Sequence, residues 1–348
     1  MTALHLYCVI GEGEGPEAPL IGLDGHRVFA VRHRELAALV SLGPVRVYKA
    51  MRREEIMPHL FAHQAVVERA MEGRTVVPVK FGTVARDEAE VRRILERSHP
   101  RLRAALAAME GKIELDVVAQ WRDLESVFRQ IAEEPEFRRL TASLAVRCPA
   151  PATEERIRIG RAVKARLDRV REERADEIVE ALRPLAEELC PHALLDDRMI
   201  LNTACLVERA REPGVGEALE RLSDRYGDSV DFRCVGPLPP YSFGTVEVRT
   251  FELETIERAR RLLDLAEDAG LAEIRDAYRR VARQCHPDHA GRQAGEDGRD
   301  AVDWFEAVTR AYRLLTEYRQ VGPSFRARDV EEAVAVRLLP SGPGRGGA

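Results

Sequence analysis

Leu4-His5-Leu6-Tyr7-Cys8-Val9-Ile10 opens the chain with a nearly unbroken apolar run, too short for a buried helix and rich in strand-forming residues. Arg27–Val31, Thr75–Phe81 and Lys112–Gln120 carry the same Val, Ile and Leu enrichment between glycines or charged turns, and each reads as a strand. Between them, Arg53–Glu72 and Asp87–Met109 place apolar residues at helical spacing. Strands and helices mixed in this order predict a small α+β sandwich of ferredoxin-like type over residues 1–148.

Cys148-Pro149-Ala150-Pro151-Ala152 interrupts the pattern, because proline removes a backbone donor and pushes its neighbour out of the helical region. It reads as a linker. A long helix then opens at Thr153, with an apolar stripe through Ile159, Val163, Leu167, Val170, Ile178, Leu182, Leu185 and Leu189 on an otherwise Arg- and Glu-rich surface. That stripe is expected to pack on its own domain. Met199–Val207, a helix through Gly216–Arg225 and the strand Val230–Val235 make a second α+β unit within residues 153–248. Gly236-Pro237-Leu238-Pro239-Pro240-Tyr241-Ser242-Phe243-Gly244 follows, and suits neither a helix interior nor a central strand; it reads as a rigid, aromatic-anchored turn.

The bulk numbers exclude several classes. Hydrophobic residues at 45% and charged residues at 32% describe a globular chain, and a net charge of -5 leaves nucleic acid without a global electrostatic attraction. The cysteines are scattered, with no metal-ligand spacing, so free thiols in a reducing cytoplasm are expected. No run reaches the length of a membrane helix. His59 and His63 stand four apart on a helix, but no glutamate of the HExxH type lies between them, so a partly exposed helix surface is expected rather than a metal site. Gly11-Glu12-Gly13-Glu14-Gly15-Pro16 lacks the Lys and Ser/Thr of a phosphate loop, and no serine sits in a nucleophile elbow. An enzyme is not expected, and neither is a cofactor.

After Val248 the texture becomes helical. Thr255–Leu265 carries Ala259, Leu262 and Leu263 on one face, continued by Ala266, and Gly270 separates it from Leu271–Cys285, whose apolar side is Ile274, Ala277, Tyr278, Val281 and Ala282. His286-Pro287-Asp288 stops that helix, and Trp304, Phe305, Val308, Ala311, Tyr312 and Leu315 begin a third stripe. Arg275, Arg279, Arg280 and Arg283 fall on the polar side of the second helix. An all-α helical hairpin is therefore predicted over residues 252–320, with 321–348 as a partly disordered tail in which Val330–Leu339 forms a short helix or strand.

Three segments resemble the signatures of the gas-vesicle GvpL/GvpF family, in the family's order: Leu6–Ile10, Val76-Val77-Pro78-Val79-Lys80-Phe81-Gly82-Thr83-Val84, and Phe232–Phe243. The C-terminal pattern resembles the J-domain of DnaJ-type cochaperones, with Ala277-Tyr278-Arg279-Arg280-Val281-Ala282 ahead of His286-Pro287-Asp288 and the Phe305-to-Leu315 run behind it. The first resemblance implies an assembly role in which the small hydrophobic shell protein and other gas-vesicle accessory proteins are partners, in the cytoplasm and at the vesicle. The second implies a DnaK-type chaperone ATPase as partner, bound by His286, Pro287, Asp288 and Tyr278 with the four arginines. Cys285 stands where an aromatic residue is usual in that family, His289 where lysine is common, and Ala290–Ala301 is longer than usual. A minor structural or nucleating component with a degenerate J-like domain is the alternative reading; a ligand sensor or enzyme is a third.

Overall fold

The computed structural model describes residues 2–11, 19–139, 153–285 and 297–339, so the Cys148–Ala152 linker and the His286-Pro287-Asp288 motif lie outside the described residues. Strand β1 (Thr2–Gly11) is followed by the hairpin β2 (Phe29–His33) and β3 (Leu36–Pro44), helix α1 (Arg53–Ala70), short strands β4 (Val76–Pro78) and β5 (Val84–Ala85), and helices α2 (Glu88–Arg97) and α3 (His99–Met109). The antiparallel order is β2-β3-β1-β4, with β5 also against β1. β1 is buried on both faces, which is why its sequence runs apolar instead of alternating. Its Tyr7 is wholly enclosed, exchanges a 2.7 Å hydrogen bond with Ser41, and accepts from the Leu23 amide at 2.8 Å. Gly22 makes room for that hydroxyl, since a Cβ there would sit 2.1 Å from it.

Two readings change in this unit. β3 is absent from the sequence reading because its turn, Arg34-Glu35, carries no glycine or asparagine; Arg34 itself takes φ 52°. The stretch read as helical over Asp87–Met109 is two helices, broken at Ser98 with Pro100 in the first turn of the second.

The second unit contains β6 (Lys112–Trp121), α4 (Leu124–Glu133), α5 (Thr153–Leu182), β7 (Glu188–Pro191), β8 (Met199–Glu208), α6 (Glu212–Tyr226) and β9 (Val230–Leu238). Its antiparallel order β7-β8-β6-β9 and its β-α-β-β-α-β course are ferredoxin-like. β6, read with the N-terminal unit, belongs here: it lies between β8 and β9 and is the centre of this sheet. The long stripe faces its own core as expected, with Leu167, Ile178 and Leu182 buried against the sheet. It ends sooner than the spacing suggests, because the chain turns after Leu182 and Leu189 enters β7.

The third unit is formed by α7 (Leu253–Leu262), α8 (Leu271–Cys285), α9 (Asp297–Tyr318) and α10 (Ala327–Glu332), flanked by β10 (Val246–Thr250) and β11 (Val334–Leu338), which pair antiparallel with each other. The architecture is therefore mixed α+β with a C-terminal helical unit.

Two buried titratable groups have opposite consequences. His63 is 3% exposed, contrary to the sequence reading, and donates its Nε2–H to the Val79 carbonyl at 3.1 Å; burial lowers its pKa to about 4. Glu114 is 2% exposed and accepts from the Ser242 amide (2.7 Å) and hydroxyl (2.9 Å), yet burial, reinforced by Asp116, raises its pKa to about 7. For His63 the folded chain binds fewer protons than the unfolded, so stability is lost as pH falls from its ordinary value of 6.5 toward 4. For Glu114 the folded chain binds more, so stability is lost as pH rises from 4.5 through 7. Urea unfolding across pH 4–8 should show that Glu114→Gln flattens the alkaline side and His63→Gln the acid side; parallel profiles for wild type and both variants would refute these assignments.

Candidate functional site

The helical unit is assembled by its apolar stripes. Ile274, Ala277 and Val281 of α8 meet Val308, Ala311 and Leu315 of α9, and Ile256, Ala259 and Leu263 close the core from the side of α7. Gly270 begins α8, its amide donating to the Glu273 carboxylate at 2.7 Å while its carbonyl accepts from Ile274. Burying this face turns the opposite one outward, and there Arg275, Arg279, Arg280 and Arg283 are all exposed. Arg275 donates to the Leu271 carbonyl at 3.2 Å and Arg279 lies 3.7 Å from Asp276, an exposed pair that leaves the guanidinium available to a partner. The result is a cationic helix face, which suits an acidic protein surface and steers its approach.

Tyr278 occupies a different place from the arginines. Its ring stacks on Tyr312 with centroids 4.4 Å apart and its hydroxyl is 3.4 Å from Thr309, so it holds α8 against α9. His286, Pro287 and Asp288 lie outside the described residues, in the connection that follows Cys285.

The three N-terminal signature segments, far apart in sequence, converge. β1 pairs with β4 through Val9 and Val77, and the Val79 amide donates to the Tyr7 carbonyl at 2.9 Å. His63 lies against both Tyr7 and Phe81, with ring centroids 5.2 and 5.5 Å apart. From the third segment, Tyr241 packs against the core around Tyr7 and Cys8, while Ser242 is fixed by Glu114 of β6 and lies 3.2 Å from Nε2 of His192. This segment is therefore the seam between the two α+β units. Beside it, a cavity of about 300 Å³ is lined by Met71, Met109 and Pro240 and by Arg74, Lys112 and Arg209, with Lys112 paired to Glu187 at 2.5 Å. His59 lies 3.6 Å from Asp24, and no group of three metal-ligating side chains occurs among the described residues.

The short helix or strand expected over Val330–Leu339 is present as the end of α10 and as β11, but the way the chain returns after α9 lies beyond that expectation. Tyr318 is wholly buried, stacks on Phe325 at 5.3 Å and donates its hydroxyl to the Ser324 carbonyl. Gly322 lies so close to that ring that a Cβ would be 2.2 Å from it. Arg319 donates to the Ala269 carbonyl at 2.9 Å, and the Phe325 amide donates to the Glu267 carbonyl at 2.7 Å, so the segment closes over the α7–α8 loop. The available signal is Gly322-Pro323 after a helix, followed by the alternation of Val334-Ala335-Val336.

Comparison with known proteins divides the chain in two, with both α+β units in one match and the helical unit in another. Residues 3–245 match the family described as "Gas vesicle synthesis protein GvpL/GvpF", and residues 261–320 match "DnaJ domain". Gas vesicle protein F of Streptomyces sp. (strain CB03234) is 32% identical over 209 residues, covering 60% of this chain and 84% of that protein. Chaperone protein DnaJ of Tropheryma whipplei (strain TW08/27) is 42% identical over 59 residues, 17% of this chain and 15% of that protein. The crystal structure of the gas vesicle protein GvpF from Anabaena sp. PCC7120 superposes with a TM-score of 0.60 at 24% identity, covering 69% of this chain and 97% of that one. That likeness is one of fold. No helix among the described residues is long and apolar enough to cross a membrane.

Truncating Tyr278 should therefore act on folding and truncating its neighbour should not. Tyr278→Ala is expected to cost roughly 2–3 kcal/mol in chemical denaturation, and Arg280→Ala to stay within about 0.5 kcal/mol of wild type. Equal stability of the two variants would remove Tyr278 from the helix–helix contact.

Proposed function

The chain belongs to the gas vesicle synthesis protein GvpL/GvpF family and carries a DnaJ domain at residues 261–320, and on that premise we propose that it is a gas-vesicle assembly factor that holds the hydrophobic shell protein and recruits a DnaK-type chaperone to it. The observation that carries this reading is the joining, in one chain, of a family match over residues 3–245 to a helical unit with an exposed cationic face on α8. A subunit that builds a gas-filled shell exposes apolar surface before it is assembled, and such surface aggregates in water. A chaperone tethered beside it acts at a high effective concentration.

In this reading the protein catalyses nothing itself and needs no cofactor. Arg275, Arg279, Arg280 and Arg283 orient the ATPase on α8, and His286, Pro287 and Asp288 shift its ATP-bound population toward hydrolysis. Other gas-vesicle accessory proteins meet the N-terminal units, and the complex works in the cytoplasm and at the growing vesicle, without nucleic acid or membrane as partner.

Vesicle formation in cells lacking the gene, complemented with wild type, His286→Gln or a chain ending near Leu253, tests both halves. Failure of His286→Gln together with the truncation is the expected outcome; normal vesicles with His286→Gln would leave a minor structural or nucleating role. Stimulation of the chaperone ATPase should also fall as salt rises, and Arg280→Glu with Arg283→Glu should reduce it at least tenfold at low salt; salt-independent stimulation would remove α8 as the docking face.

A further inference from the structure

The helical unit is not an appendage on a tether. We infer that residues 321–338 form a strap that seats it rigidly on the N-terminal unit, so that the chaperone-docking helix α8 has a fixed position relative to the sheet built on β1.

The decisive feature is the alternation along β11. Val334 and Val336 are buried in the core of the N-terminal unit, beside Leu4, Ile94 and Leu102. Ala333 and Ala335, offset by one residue, are buried in the helical core with Ile274, Val308 and Leu315. Successive side chains of a strand point to opposite faces, so this strand is a wall shared by two cores. β10 does the same in series, with Val246 in the first core and Phe251, just beyond its end, in the second. Releasing the ribbon from either side exposes apolar surface on it, which couples the two units.

Polar contacts fix the same arrangement. Lys80 donates its amide to the Val246 carbonyl at 2.8 Å and pairs with Glu247 at 2.6 Å. Arg101 donates to the Val336 carbonyl at 3.0 Å and Arg86 to the Glu331 carbonyl at 3.2 Å. On the other side Glu317, in the last turn of α9, is paired with Arg249 of β10 and, at 3.3 Å, with Arg337 of β11. What this means for the chaperone rests on the function proposed above; the seating itself does not.

Nitrogen-15 relaxation on the full chain decides the matter. The amides of α7, α8 and α9 should report the same rotational correlation time as those of β1 and β3. Val336→Asp, which puts a charge into the N-terminal core, should shorten the helical unit's correlation time at least twofold while its helical resonances persist. Should that variant unfold, Arg101→Ala is measured instead, and faster hydrogen exchange at Val246–Thr250 is expected. A helical unit that already tumbles faster than β1 in the wild type would overturn the inference. Stimulation of the chaperone ATPase by Val336→Asp separates the two claims: retained stimulation with lost vesicle formation supports fixed placement, vesicle formation undiminished in a variant with shortened correlation time refutes its importance, and no stimulation by the wild type refutes the chaperone reading while the relaxation result stands.

Discussion

One strand pair closes this molecule. Val246–Thr250 and Val334–Leu338 pair in full antiparallel register, and everything between them, including the entire DnaJ-type unit, is a loop on that ribbon. Because the two faces of β11 go into two cores, the ribbon belongs to both units. The segment Phe232–Phe243 plays the comparable part between the α+β units, with Tyr241 in one core and Ser242 held by the buried Glu114 of the next sheet. In both places the contact is apolar and directional at once: burial supplies the free energy, and a backbone or carboxylate hydrogen bond sets the position.

This arrangement bears on function through geometry. The cations of α8 point away from the core of their own unit because Ile274, Ala277 and Val281 point into it, so the cationic face is a by-product of helix packing. The N-terminal units are held by different means, with many of the signature residues buried at a seam. Tyr7, Val77 and Val79 are enclosed, and the resemblance they carry is a resemblance of packing. The side chains that the segments leave to the outside include Lys80, Arg233 and Cys234.

Much of the architecture was legible from local pattern. Strands β1, β6 and β8 and helices α1, α7 and α8 stand near their expected limits, because each carries its period of two or 3.6 within its own residues. The misses share a cause. β3 went unread for want of a glycine or asparagine in its turn, and Leu189 satisfied a helical spacing while belonging to a strand. The burial of His63 is not legible either, because nothing local says that Val79 and Tyr7 will cover it.

Local pattern was enough to place most helices and strands, the cationic face of α8 and the two family resemblances, since all of these depend on residues close together in the chain. Long-range packing set the rest: Lys112–Trp121 leaves the unit it follows to become the centre of the next sheet, Tyr278 braces two helices, and Val334–Leu338 is a shared wall instead of a tail. Pairing partners are chosen by which edges and apolar faces remain uncovered once the local elements exist, and that choice is made by surfaces far apart in sequence.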